Sequence, residues 1–207
     1  YMNLKVNIFS VRSGFSGMDS PTHHAIFDLT LLPSIPNVEV IFPASIKRVE
    51  DITRKVIHSK SVKTTIVLLP YFPTSVETEN LIDSEYSVLE NIGLFKDHKE
   101  KTLIITTSNS NNYMLEIVRE FRSANHLIIE DLSLNKETML FINSYEKIFV
   151  LEENIQKSGL AAQIKLKLSV NIKFDHMGPS SFPEAGSQNF TLESCGMSTP
   201  KILARLE

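Results

Sequence analysis

Short apolar runs bounded by turn residues alternate along the chain with segments whose apolar positions recur at helical spacing. Residues 4–11, 38–42 and 64–69 read as strands, the last a β-branched apolar run ending at Pro70. Between them, Thr22 is placed to cap a helix carrying Ile26, Phe27, Leu29 and Leu31 up to Pro33. Ser45 is placed to cap a second, striped by Ile46, Val49, Ile52, Val56 and Ile57. The pattern then weakens over residues 73–100, which read as an interdomain linker. A second alternation follows: strand 102–107, helix 111–123, strand 127–130, helix 136–143, strand 148–152, and a helix through Leu160, Ile164 and Leu168. A short strand at 172–174, a loop to Ser187 and a last helix after Pro200 complete the chain, with Phe121, Phe141, Phe149 and Phe174 assigned to the core. This is an α/β fold of two parallel or mixed sheet units flanked by helices, residues 1–72 and 101–207, joined by the linker.

Composition narrows the function classes. With 207 residues and a formal net charge of −3, the chain lacks the basic excess of a nucleic-acid binder. No apolar run approaches the roughly 20 residues needed to cross a bilayer, so no membrane partner is expected. A single cysteine, Cys195, permits neither an internal disulfide nor a multi-cysteine zinc site and suits a reducing, cytoplasmic setting. The chain opens almost at once in a strand, which bares one edge of a parallel sheet. A fragment, or the smaller chain of a split enzyme, is therefore expected.

Chemistry concentrates in residues 11–28, VRSGFSGMDSPTHHAIFD, which set Arg12, Asp19, His23 and His24 around two glycines between a strand and a helix start. Such loops face the carboxyl ends of parallel strands, where ligands bind in α/β sheets. An arginine grips phosphate in fork geometry, an imidazole exchanges protons near neutrality, and Asp19 is suited to orient the histidine or bind hydroxyls. The same four residues also serve as ordinary caps and turns. The single glycine pair lacks the lysine and spacing of a phosphate loop. His58, His98, His126 and His176 read as surface or cap residues, Cys195 has no base beside it, and the pair Glu152 and Glu153 reads as favouring the positive terminus of the following helix.

The run from Arg12 through Gly14, Gly17, Asp19, Thr22 and His23 to Phe27-Asp28-Leu29, then Ile35-Pro36 and Phe42-Pro43-Ala44, resembles the pyrimidine-binding domain of the transketolase superfamily, nearest to its 1-deoxy-D-xylulose-5-phosphate synthase branch. Phe149-Val-Leu-Glu-Glu-Asn154, Ser158-Gly159-Leu160 and Gly186-Ser187 before a polar helix are similar to that family's carboxyl-terminal domain. The resemblance implies a thiamine diphosphate-dependent carboligase joining a keto donor to an aldehyde acceptor, in the branch's case pyruvate and glyceraldehyde 3-phosphate. It implies His23 as the acid–base group and Arg12 and Asp19 as substrate-binding residues, with His24, where glutamine is frequent, in a helix-start or supporting role. It also implies a homodimer.

Departures from the family pattern matter equally. Ser20 replaces a usual glycine, and Leu69-Pro70-Tyr71-Phe72 lacks the arginine expected after the third strand. There is no Gly-Asp-Gly with a distant asparagine for Mg²⁺ and diphosphate, and the activating glutamate of the family is not in the chain. Thiamine diphosphate and Mg²⁺ are thus expected only in a complete enzyme with a separate diphosphate-binding portion, and the chain alone is expected to bind none and to be inactive. Two alternatives remain at this stage: a related enzyme for an unphosphorylated sugar, and a non-catalytic scaffold that keeps the fold.

Overall fold

The computed structural model describes residues 4–89, 92–121 and 123–207. In the first unit, β1 (Asn7–Ser13), β2 (Val38–Ile41) and β3 (Thr64–Pro70) form a parallel sheet in the order β1-β3-β2. Helix α1 (Asp28–Leu31) precedes β2, and α2 (Ile46–His58) crosses from β2 to β3. Ser45 caps α2 by accepting from the Arg48 N–H at 3.2 Å, as the sequence predicts. Ile52 and Val56 pack on Val67 of β3, whereas Ile46 and Ile57 of the same predicted stripe are exposed.

The helix expected from Thr22 is shorter than its pattern suggests. Residues Pro21–His23 form a single 3₁₀ turn and α1 begins only at Asp28, because the Ala25 N–H donates to the Gly14 carbonyl at 2.8 Å in an isolated β-bridge that a continuous helix would forbid. Pro33 ends the segment inside a second 3₁₀ turn, Leu32–Ser34.

Residues 73–100 are not the expected spacer. They fold into α3 (Val76–Glu85), β4 (Ser87–Leu89) and β5 (Gly93–Lys96); residues 90 and 91 lie outside the described residues. The β4–β5 hairpin pairs antiparallel onto β7 and extends the second sheet. Its short strands and the two buried apolar positions of α3, Leu81 and Ile82, leave too little periodicity to read in advance.

The second sheet holds β6 (Thr102–Thr106), β7 (Asn125–Ile128), β8 (Lys147–Leu151) and β9 (Lys173–Met177), in the order β4-β5-β7-β6-β8-β9. Helices α4 (Asn111–Glu120), α5 (Lys136–Ile142), α6 (Leu160–Lys165), α7 (Gln188–Ser194) and α8 (Thr199–Leu206) complete the unit. Alternate residues of β6 and β8 enter different cores: Leu103, Ile105, Ile148 and Val150 one, Ile104, Phe149 and Leu151 the other. A parallel sheet buried on both faces therefore explains the unbroken apolar runs. The first of these cores also takes in Leu29, Val40, Phe42, Ile66 and Leu68, so the two sheets share one apolar cluster. Phe149 is fully buried, and Phe121, Phe141 and Phe174 pack partly buried against the cores.

His126, expected at the surface, is fully buried in β7. Its Nδ1 lies 2.6 Å from the Tyr86 hydroxyl and its Nε2 2.9 Å from Thr106 Oγ1. Burial, with Lys96 nearby, drives its pKa down to about 3, so the ring is a neutral polar link in the core.

Candidate functional site

The loop after β1 lies at the carboxyl ends of strands from both sheets. Arg12 and Gly14 adopt left-handed φ of 70° and 79°, which turn the backbone sharply. The Gly14 amide face sits against Glu153 and Asn109, and Gly17 sits against the Tyr71 and Phe72 rings that follow β3. Residues of the second unit fasten the loop. Phe15 N–H donates to Glu153 Oε2 at 2.8 Å, Asn109 Nδ2 to Ser13 Oγ at 3.3 Å, Leu29 N–H to Asn154 Oδ1 at 3.2 Å and Ile155 N–H to the Ile26 carbonyl at 2.9 Å. From the tail, the Gly186 N–H donates to the Gly17 carbonyl at 2.9 Å and Phe182 packs edge-on against Phe27.

Within this frame two of the predicted residues come together. Arg12 Nη1 donates to Asp19 Oδ2 at 2.6 Å, and the guanidinium stands 5.3 Å from the Tyr71 ring centroid. Both members of the pair keep solvent contact, so it is a weak stabiliser and leaves the guanidinium accessible to a ligand. His23, last residue of the 3₁₀ turn, is exposed on the same loop. His24 is buried instead: its Nδ1 accepts from the Ser16 N–H at 2.9 Å and its ring stacks edge-on to Phe15. Burial lowers its pKa, which keeps this imidazole neutral and suits a supporting role.

The two glutamates after β8 part company. Glu152 accepts from the Leu160 and Ala161 N–H groups at 2.6 and 2.9 Å, holding the start of α6 by hydrogen bonds. Glu153 reaches across to the histidine loop, a role the sequence did not announce. Burial pushes both carboxyls up to about 8. Asn109 was missed as well; the only available sign was the polar run 107–111 directly after an apolar strand.

Among the described residues no group of three or more His, Cys, Asp or Glu is placed to hold a metal ion. Cys195 has its pKa raised by burial to about 11, which disfavours the reactive thiolate. A cavity of about 380 Å³ between α2 and the β4–β5 hairpin is lined by Ile41, Arg48, Ile52, Lys55 and Glu130 and lies apart from the loop. No helix among the described residues is long and apolar enough to cross a membrane.

Comparison with known proteins agrees with this geometry. The family described as the transketolase pyrimidine-binding domain matches residues 1–71. The chain is 29% identical over 170 residues to 1-deoxy-D-xylulose-5-phosphate synthase of Fusobacterium nucleatum, covering 78% of this chain and 27% of that protein. It is 26% identical to the synthase of Carboxydothermus hydrogenoformans, covering 97% of this chain and 33% of that protein. The chain thus spans about a third or less of the length of these curated relatives. Its fold is that of a solved split-gene transketolase, described as an inactive β4 tetramer, with a TM-score of 0.74 at 17% identity over 96% of this chain and 65% of that one. A loop of this pattern, locked at the carboxyl ends of two α/β sheets, is similar to the transketolase pyrimidine-binding domain over residues 1–71, and the chain as a whole is similar to about a third of 1-deoxy-D-xylulose-5-phosphate synthase.

Proposed function

We propose that this chain is the carboxyl-terminal portion of a thiamine diphosphate-dependent transketolase-type carboligase, most like 1-deoxy-D-xylulose-5-phosphate synthase, and that it works only with a separate diphosphate-binding portion. The carrying observation is the single loop that presents His23 to solvent and carries the Arg12–Asp19 pair, whose charged atoms meet at 2.6 Å. In this reading Arg12 and Asp19 bind the acceptor's charged and hydroxyl groups, and His23 gives or takes the proton at the carbonyl under attack. The keto and aldehyde substrates and the Mg²⁺-held cofactor belong to the completed enzyme. Residues 1–72 serve as the partial pyrimidine-binding unit and 101–207 as the transketolase carboxyl-terminal-like unit, with the 73–100 segment bound into the second sheet.

The bare edge of β1 supports the missing portion. Among the described residues it pairs only with β3, and Ile8, Phe9 and Val11 are 42%, 42% and 67% exposed, an apolar edge suited to further polypeptide. Homodimerisation and a cytoplasmic setting accompany the same reading.

The test pairs the chain with a diphosphate-binding polypeptide carrying Gly-Asp-Gly and follows turnover of pyruvate with glyceraldehyde 3-phosphate. His23→Ala is expected to cut turnover about 10²- to 10⁴-fold, the range for a general acid–base group, with an unchanged melting temperature because the ring is exposed. Wild-type turnover in the mutant ends the assignment.

A second reading, an enzyme for an unphosphorylated sugar, is favoured by one observation. Tyr71 stands beneath Arg12 where a phosphate-binding arginine is expected, and a phenol supplies no cationic fork. Comparing phosphorylated with plain aldehyde acceptors separates the two.

A further inference from the structure

We infer that Glu153 is a positioning residue for the histidine loop: from the end of β8 its carboxyl group clamps the backbone at Phe15 and thereby sets where Arg12, Asp19 and His23 stand. The inference rests on the proposed role of His23. Glu153 is fully buried, and its Oε2 accepts from the Phe15 N–H at 2.8 Å. Gly14, one residue earlier, has φ 79° and no Cβ, and the carboxyl oxygen occupies the space a side chain would fill.

The clamp is continuous with the histidines. The Phe15 ring, itself fully buried, meets the His24 ring edge-on at 5.9 Å between centroids, and the Ser16 N–H donates to His24 Nδ1 at 2.9 Å. His24 is the covalent neighbour of His23, so the backbone position at Phe15 propagates to the exposed imidazole. Asn109 braces the other side by donating to Ser13 Oγ, next to Arg12. Glu152 provides an internal contrast, since its carboxyl group serves the first N–H groups of α6.

The hydrogen bond is readable in solution. Tyr113 of α4 and Cys195 after α7 face Glu153, and burial raises both well above Glu153, whose pKa of about 8 makes it the group of the three that titrates near neutrality. In the isotopically labelled 207-residue chain, the Phe15 amide resonance is expected to shift with a midpoint near that value. Glu153→Gln, which keeps an acceptor oxygen, is expected to abolish the shift yet leave the His23 ring resonances in place. Glu153→Ala is expected to move Phe15, His23 and His24 signals while those of β6 and β8 hold, and Glu152→Gln to leave the loop unchanged.

Paired with the diphosphate-binding portion, Glu153→Ala is expected to lower kcat about a hundredfold, the cost of a misplaced catalytic group, with donor KM retained and activity restored in Glu153→Gln. A Phe15 amide that stays flat over the whole pH range in which the chain is folded overturns the clamp, as do His23 resonances unmoved by Glu153→Ala. Should Glu153→Ala fail to fold, the wild-type titration and Glu153→Gln decide. A titrating Phe15 in a complex that lacks all turnover upholds the clamp and tells against the proposed function alone.

Discussion

Gly14 shows how much one missing side chain can matter. Its φ of 79° is costly for any residue with a Cβ, and a methyl group there would press on Glu153 Oε2 and lie 2.7 Å from Asn109 Nδ2. Gly14→Ala is expected to destabilise the fold by at least about 2 kcal/mol, from backbone strain and the displaced hydrogen bond together; chemical denaturation measures it, and a loss below half that amount would show that the carboxyl group can step aside. Arg12 carries the same kind of strain at φ 70° without being glycine, which marks the turn as one the surrounding structure enforces. The sequence offers Arg12, Asp19 and His23 as candidates through a compact motif. It did not disclose that Glu153, 138 positions from Phe15, holds their loop, because nothing local distinguishes it from Glu152.

At the scale of the element, α2 was legible and α3 was not. The first carries a clear stripe behind a serine cap, whereas the second buries Thr78, Leu81 and Ile82, of which two alone are apolar, too few to mark a stripe in the sequence. Ser45→Ala is expected to cost about 0.5–1.5 kcal/mol in a denaturation midpoint, the usual worth of a cap. The lower part of that range is favoured, since Glu79 Oε2 also accepts from the Ile46 N–H at 2.8 Å and partly secures the helix start. That contact ties α3 to α2, so the segment between the two alternations supports a neighbouring helix. The helix anticipated from Thr22 failed for a related reason. Its apolar residues are spaced for a helix, but Ala25 is committed to Gly14 across the turn, and a nonlocal bond outweighs local propensity.

Across the whole molecule, buried ionisable groups set how stability follows pH. Glu152 and Glu153 hold protons up to about pH 8 when folded and release them near 4.5 when unfolded, so stability falls as pH rises through that window. His126 acts in the opposite sense: neutral when folded down to about pH 3 but charged below 6.5 when unfolded, it makes stability rise with pH between those values. The lowered pKa of His24 adds in the same direction. The two effects oppose one another in the acid range, and the glutamates continue to act from about pH 6.5 to 8. Melting temperature is therefore expected to decline across that upper interval, with a shallower decline in Glu153→Gln; a flat or rising profile by calorimetry would contradict the burial of charge-capable groups described above.

The alternation of strands and helices, the apolar character of β3, β6 and β8, and the chemistry gathered after β1 were all written in the chain itself, because each depends on spacing within a few residues. Tertiary structure alone decided the rest. It drew the β4–β5 hairpin into the second sheet, merged apolar residues of both sheets into one core, buried His126 and sent Glu153 to the loop. Those outcomes depend on which distant surfaces meet, and pairing across 40 residues, as between Tyr86 and His126, or 138, as between Phe15 and Glu153, leaves no periodic trace in either partner.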